Sequence, residues 1–304
     1  MSGRAIMRKL TYREMNRIRP YLLLLPALMI ISLVIFYPIV KAVAMSFQSV
    51  NLIRLDQVHF IGLQNYIRVL RDPVFWVALK NTVIYVLGSV GFQFVLGFIT
   101  ALLINQEFKC RGLIRGLILI PWALPGVLAA FMWSLVLNGN YGLVNDVLFR
   151  LGIIKDFIPW LSQPNTALGA TILATVWRGA PFFAVMLLAG LQAVPVELRE
   201  AARIDGANRY QEFANVTIPI MMPVIITTTL LRIIWTANFV EIIYLMTQGG
   251  PGYSSQVLCV YTFMCAKGSL DYGFASALAM FLTLILLATI GMYLRQAKKA
   301  GVNI

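Results

Sequence analysis

Glu200-Ala201-Ala202-Arg203-Ile204-Asp205-Gly206-Ala207, followed by Phe213, Val216, Ile218 and Pro219, decides how the rest of the chain is read. The stretch is polar and rich in small residues. It separates two apolar runs, 167–190 and 216–240, each long enough to cross a bilayer, since about 20 residues of helix span the hydrocarbon core. Pro195 suits the first turn of a helix, where its missing N–H costs nothing. Glu197 and Glu200 follow near the positive end of that helix dipole. Leu198, Ala201 and Ala202 give a small apolar side. Asp205-Gly206 interrupts: Gly takes a left-handed turn and Asp is suited to cap the next helix. That second helical stretch is expected over 207–216, with Tyr210 and Phe213 at i, i+3, before Pro219 opens the next span. The expectation is a helix–turn–helix over 195–216, lying across one membrane face and tied at both ends to spans.

The composition agrees with a membrane setting. The 304 residues are 60% hydrophobic and 12% charged, against about 25% charged in a soluble domain. Mean hydropathy is +0.80. A soluble fold this apolar would lack the polar surface to stay dispersed. The net charge of +13 sits mostly at the ends of apolar runs. That is the pattern of loops beside anionic lipid, not of nucleic-acid binding.

Six apolar runs are present, at 21–40, 81–104, 116–137, 167–190, 216–240 and 272–294. Arg178 and Arg232 are the charged residues inside them. Backbone groups in lipid must be satisfied within the segment, so these are helices. The expected fold is an all-α polytopic membrane protein with six transmembrane helices. A basic arm (1–20) precedes a single six-span domain (21–295), and a short tail (296–304) follows. The first run is too long for a secretory signal and no Ala-x-Ala site follows it, so it is read as a retained span.

Six spans put both termini on one side. On that side lie Arg4, Arg8, Lys9, Arg13, Arg17 and Arg19, then Lys109, Arg111 and Arg115, then Arg199, Arg203 and Arg209, then Arg295, Lys298 and Lys299. The other side has fewer, Lys41, Arg54, Arg68, Arg71, Lys80, Arg150, Lys155 and Lys267, in longer loops. The positive-inside rule therefore expects both termini in the cytoplasm.

The outer segments carry weaker signals. Val144, Val147, Leu148 and Leu151 recur at i, i+3, i+4, i+7, suggesting a short amphipathic helix, read equally as a docking surface or as a plug over the bundle. Cys110, Cys259 and Cys265 fit no zinc or redox spacing. Cys259 and Cys265 stand either as a pair or as small free residues. The single histidine, His59, makes neither a triad nor a metal site, and no metal is expected.

An ionisable residue inside a span defaults to function. Arg178 lies mid-run in Thr175-Val176-Trp177-Arg178-Gly179-Ala180-Pro181-Phe182. Pro181 frees a carbonyl one turn back, and Gly179 admits a close neighbour. Trp235, Asn238 and Glu241 fall on one side at i, i+3, i+6, offering a stacking face and hydroxyl partners for a sugar. Two structural readings stand beside this one: Arg178 pairing with Glu241 to neutralise a buried charge, and Trp235 facing lipid. Arg232 is read as snorkelling or holding a neighbouring helix.

The segment Glu-Ala-Ala-x-x-Asp-Gly-Ala-x5-Phe-x2-Val-x-Ile-Pro resembles the signature of permease subunits in binding-protein-dependent ATP-driven (ABC) importers. Phe60-Ile61-Gly62-Leu63-Gln64-Asn65-Tyr66, Leu245-Met246-Thr247-Gln248-Gly249-Gly250-Pro251 and Asp271-Tyr272-Gly273-Phe274-Ala275 resemble further segments of carbohydrate-type members. The likeness covers roughly 20–295 and is nearest the maltose-type subfamily. Val216-Thr217-Ile218 departs from the usual Ile-x-Leu, apolar for apolar.

The resemblance implies a type I importer permease fold in the inner membrane of a bacterium or archaeon. It implies a second permease subunit of a different chain, two cytoplasmic P-loop ATPases and an external solute-binding protein. ATP-Mg belongs to the ATPases; no cofactor is expected on this chain, which has no Gly-x4-Gly-Lys-Ser/Thr and is not itself an enzyme. Glu200, Ala201, Ala202, Asp205, Gly206 and Ala207 would couple to the ATPase. Thr175, Arg178, Gly179 and Phe182 would occupy solute-contacting positions. Arg178 suits an anionic or a neutral sugar. The competing reading is an ion-coupled secondary transporter, for which Glu241 is the candidate acid.

Overall fold

The computed structural model describes residues 12–53 and 58–299. Arg4, Arg8 and Lys9 of the basic arm, Arg54, and tail residues 300–304 lie outside the described residues. Among the described residues five helices are long and apolar enough to cross a membrane, and a bent pair makes a sixth if it counts as one span.

The first run forms α1 (Tyr12–Ile31) and α2 (Tyr37–Ser46), joined by a π-helical turn at Ser32–Phe36. Pro38 in the first turn of α2 has no N–H to donate, and the helix widens just ahead of it. Among the described residues most of this span is exposed, Leu23, Leu33 and Val40 included. The helix joins the body through α2.

A two-residue hairpin comes next, β1 (Gln48–Ser49) antiparallel to β2 (His59–Phe60). Then come α3 (Gln64–Arg71) and α4 (Pro73–Asn105). Asp72 caps α4 by accepting from Val74 N at 2.9 Å, and Pro73 takes the first helical position.

The 116–137 run is not one straight span, a correction to the sequence reading. It is α5 (Arg111–Ile118) and α6 (Ile120–Ala123), then α7 (Gly126–Val136), with a 90° bend between α6 and α7. Pro125 drives Leu124 into an extended conformation, φ −66° and ψ 136°. Uniform apolarity hid the break.

The short helix α8 (Leu143–Arg150) exists as expected, with Val144 of its apolar stripe packed against a buried cluster. Val147 and Leu151 are exposed. The fully buried residue is Asn145, whose Nδ2 donates to Asn138 O at 3.2 Å and Ile158 O at 2.9 Å. Its Oδ1 accepts from Ile158 N at 3.2 Å and Trp160 Nε1 at 2.9 Å.

The fourth span, α9 (Ala167–Gln192), runs through Pro181 and is the most buried of the spans. It packs along α4 over most of its length. After the surface helices α10 (Val196–Ile204) and α11 (Arg209–Glu212), the fifth span is α12 (Ile218–Ala237) and α13 (Glu241–Thr247). Helix α14 (Leu258–Lys267) is short, and α15 (Tyr272–Lys299) is the last span.

Three of the segments that carry the resemblance build the body on the side of α3 and α14. Asn65 Nδ2 donates to Ser46 O and Gln48 O. Arg68 pairs with Asp271 at 3.0 Å and lies over Phe274. The loop after α13 is tied to α4 by Asn81, which donates to the carbonyls of Tyr253 and Ser254. Leu258 N donates to Thr82 Oγ1 at 2.8 Å. Cys259 and Cys265 are buried free thiols in α14 and do not pair; Cys110 is free and exposed.

Candidate functional site

A cavity of about 270 Å³ opens among α6, α9, α12 and α13. Trp122, Thr175, Arg178, Arg232, Trp235, Thr236, Phe239 and Ile242 line it. The guanidinium of Arg232 is buried at 6% exposure. Its Nε donates to Gln93 Oε1 at 2.9 Å, and Gln93 Nε2 donates to Thr175 O at 3.1 Å. Gln93 is fully buried, so both ends of one amide are spent on holding the arginine and the helix opposite. Tyr85 and Thr175 share a hydroxyl–hydroxyl hydrogen bond of 2.8 Å beside this link. Gly179 makes room for the arrangement: a Cβ there would collide with Arg232 Nη2 and the Gln93 amide.

Arg178 approaches from the α9 side. Its Nε donates to Leu124 O at 3.3 Å, and its guanidinium lies 4.7 Å from the centre of the Phe239 ring. Leu124 has a free carbonyl because the helix breaks at Pro125. The bend therefore supplies part of the cavity wall. An aromatic strip continues behind: Phe182 stacks on Trp122 at 6.0 Å and meets Trp235 at 5.2 Å. Arg232 sits 5.8 Å from the Phe182 ring.

Of the residues expected from sequence, Thr175, Arg178 and Trp235 line the cavity, and Gly179 and Phe182 support it. Asn238 and Glu241 are not among the residues that line the cavity. The helix ends at Ala237, and Asn238 caps it, donating back to Ile234 O at 2.8 Å. Glu241 opens a new helix and lies against Gly126, at the first turn of α7, where a carboxylate is favoured by the helix dipole. The expected i, i+6 relation assumed an unbroken helix. Arg178 forms no ion pair with Glu241 within 4.0 Å. Of the two readings of Arg232, it does not snorkel but holds a neighbouring helix, α4, through Gln93, and it also lines the cavity. Gln93 escaped the sequence reading, although an amide in the middle of an apolar run is costly in lipid and so informative. Trp122, Thr236 and Phe239 carried no such signal.

The 195–216 segment has the expected outline with different chemistry at its corner. Pro195 is the N-cap of α10, and Glu197 stands in its first turn. Gly206 takes φ +87° at the turn. Asp205 closes α10 instead of capping α11. Asn208 does the capping, through a reciprocal pair with Gln211 of 2.9 and 2.8 Å. Helix α11 is not a separate arm. It widens into a π turn at Phe213–Thr217 and runs into α12, which again carries a proline, Pro219, in its first turn. Tyr210 is 78% exposed while Phe213 packs on Phe98, so the two do not share a role.

No residue of α10 is buried, and Val196, Leu198 and Ile204 are exposed. One charged knot holds the helix in place. Arg203 Nε donates to Glu212 Oε2 at 2.8 Å, and Arg199 Nε lies 3.3 Å from Glu212 Oε1. The hydrogen bond to Glu212 raises the Arg203 guanidinium further above its usual range.

Residues 74–300 match the family model described as binding-protein-dependent transport system inner membrane component. The chain belongs to that family. The permease is 37% identical over 290 residues to the trehalose/maltose transport system permease protein MalF of Thermococcus litoralis, covering 95% of this chain and 96% of the relative. It is 38% identical over 280 residues to the sulfoquinovosyl glycerol transport system permease protein SmoG of Agrobacterium fabrum, covering 92% and 90%. Its fold is similar to a chain of a bacterial ABC transporter involved in import of the acidic polysaccharide alginate, with a TM-score of 0.81, 23% identity and coverage of 95% and 98%. The permease is thus a multi-pass membrane component with the ABC importer permease fold, and its role is passage of solute, not catalysis.

Proposed function

We propose that this permease carries a carbohydrate across the cytoplasmic membrane of a bacterium or archaeon by alternating access, driven by ATP hydrolysis on partner subunits. The observation that carries the reading is the unburied helix α10, which offers Val196, Leu198 and Ile204 outward while Glu212 ties it to the foot of the fifth span. A short helix held this way passes a push at its surface into α12 as a rigid body. Glu200, Ala201, Ala202, Asp205, Gly206 and Ala207 form the surface for a P-loop ATPase, which binds the ATP-Mg. Two copies of that ATPase, a second permease of a different chain and an external solute-binding protein complete the assembly. Both termini are cytoplasmic, a reading supported by the excess of Lys and Arg on that side. ATP shifts the balance of inward and outward states because it binds them unequally at the ATPases.

The solute lies in the cavity of Thr175, Arg178 and Trp235, with Gly179 and Phe182 behind and Asn238 and Glu241 at the break in the fifth span. Aromatic faces next to fixed donors suit sugar rings and hydroxyls. The relatives named for trehalose, maltose and sulfoquinovosyl glycerol support a carbohydrate.

The test is purification in mild detergent with mass spectrometry of the proteins that accompany the chain, then uptake in proteoliposomes. Co-purified P-loop ATPase and a second six-span protein, with uptake dependent on ATP, are expected. Uptake driven by an ion gradient without ATP, and lost in Glu241→Gln, would replace this reading with a secondary transporter.

A further inference from the structure

The cavity places two guanidinium groups, Arg178 and Arg232, among its lining residues. Charges inside a membrane domain are normally paired, since an unpaired one carries a large desolvation penalty. Among the described residues no carboxylate lies within 4.0 Å of either arginine. Each is held by a neutral partner, Arg232 by the Gln93 amide and Arg178 by the Leu124 carbonyl and the Phe239 ring. The carboxylate of Glu241 lies at Gly126 beside Phe239, the ring that Arg178 faces. Counting it still leaves the cavity one positive charge in excess.

We infer that the solute is an anionic carbohydrate, its carboxylate, sulfonate or phosphate held by Arg178 and Arg232 while its ring stacks on Trp122 or Trp235. This rests on the carbohydrate-importer reading above. The choice of Gln93 is the telling detail. A carboxylate at this position would orient Arg232 and also neutralise it, at the cost of the donor that Gln93 gives to Thr175 O. An amide orients the guanidinium and leaves its charge and its Nη donors to a ligand. Arginine forks match planar carboxylates and tetrahedral oxyanions in two parallel hydrogen bonds. Thr175 and Thr236 add hydroxyls at the same wall for the sugar.

The test uses the full complex with its own binding protein in proteoliposomes and four probes built on one ring: glucose, glucuronate, glucose 6-phosphate and the 6-sulfonate of glucose. ATP-driven uptake of at least one of the three anions, exceeding that of glucose by tenfold or more, is expected. Gln93→Glu, an isosteric change that neutralises Arg232, is expected to cut uptake of the anion by tenfold or more. Gln93→Ala, which keeps the charge, should cut it less. Arg178→Gln, at a half-buried position, gives an independent loss if Gln93→Glu does not fold. Because the binding protein is the same throughout, the differences between variants carrying the same probe report on the permease. Uptake of glucose equal to that of every anion, or an unchanged rate in both Gln93→Glu and Arg178→Gln, overturns the inference and leaves the importer standing. Absence of ATP-driven uptake of all four probes and of any sugar captured by the binding protein overturns both.

Discussion

Arg203 donates through Nε to Oε2 of Glu212 at 2.8 Å, so a residue on the exposed helix α10 is fastened to the residue where the fifth span begins to leave the surface. Arg203 Nη2 donates to the other carboxylate oxygen at 3.3 Å, and Arg199, one turn earlier, forms an ion pair with that oxygen at 3.3 Å. Glu212→Gln is expected to insert normally but to lower uptake by about 5- to 150-fold, the usual span of coupling between two sites. ATP hydrolysis should continue without stimulation by loaded binding protein. The charge exchange Arg203→Glu with Glu212→Arg should restore part of the stimulation. Unchanged stimulation in Glu212→Gln would show that α10 moves α12 by some other contact.

Gly206 has φ +87°. A β-branched residue there is strained by about 1–2 kcal/mol, which the turn would relieve by unwinding. Gly206→Val is expected to abolish uptake while leaving membrane insertion intact, and Gly206→Asn to be milder, since Asn tolerates the left-handed region. Uptake assays alongside quantification of inserted protein separate the two effects.

Gly179 faces Gln93 and Arg232 across the contact between α9 and α4 and α12. Gly179→Ala overpacks that contact. A loss of about 1–3 kcal/mol is expected, read as a lower Tm in detergent, together with reduced uptake because Arg232 is displaced. A variant with wild-type Tm and uptake would mean that the helices separate freely at this level.

Asn145 satisfies four backbone and indole groups at once. Asn145→Ala orphans the Trp160 indole N–H and the Ile158 backbone N–H, at roughly 1–3 kcal/mol for each group that stays buried. The expected outcome is faster proteolysis of 139–166 and a red-shifted Trp160 emission, with the spans unaffected. Equal protease resistance would show that the loop is held elsewhere.

Much of the architecture derives from short-range rules. The apolar runs at 81–104, 167–190 and 272–294 became helices because nothing inside them opposes it. The turn at Gly206 was legible because one residue type serves that conformation. Arg178 stood out as a charge in an apolar run. The features that escaped were set by distant contacts or by proline. Gln93 and Arg232 lie 139 residues apart in sequence, and no local pattern joins them. The run 116–137 looks uniform, yet Pro125 turns it by 90°. A third feature, the break after Ala237, is marked by neither proline nor glycine.

The acceptor that Arg178 uses on the broken helix is the carbonyl of Leu124, an atom common to every amino acid. Sequence drift at position 124 therefore cannot delete it. What can be lost is the bend that leaves this carbonyl unspent, and that is governed by the next residue. Across natural variants the contact should be inherited through Pro125 as a shape, with position 124 free to change its side chain so long as it stays apolar.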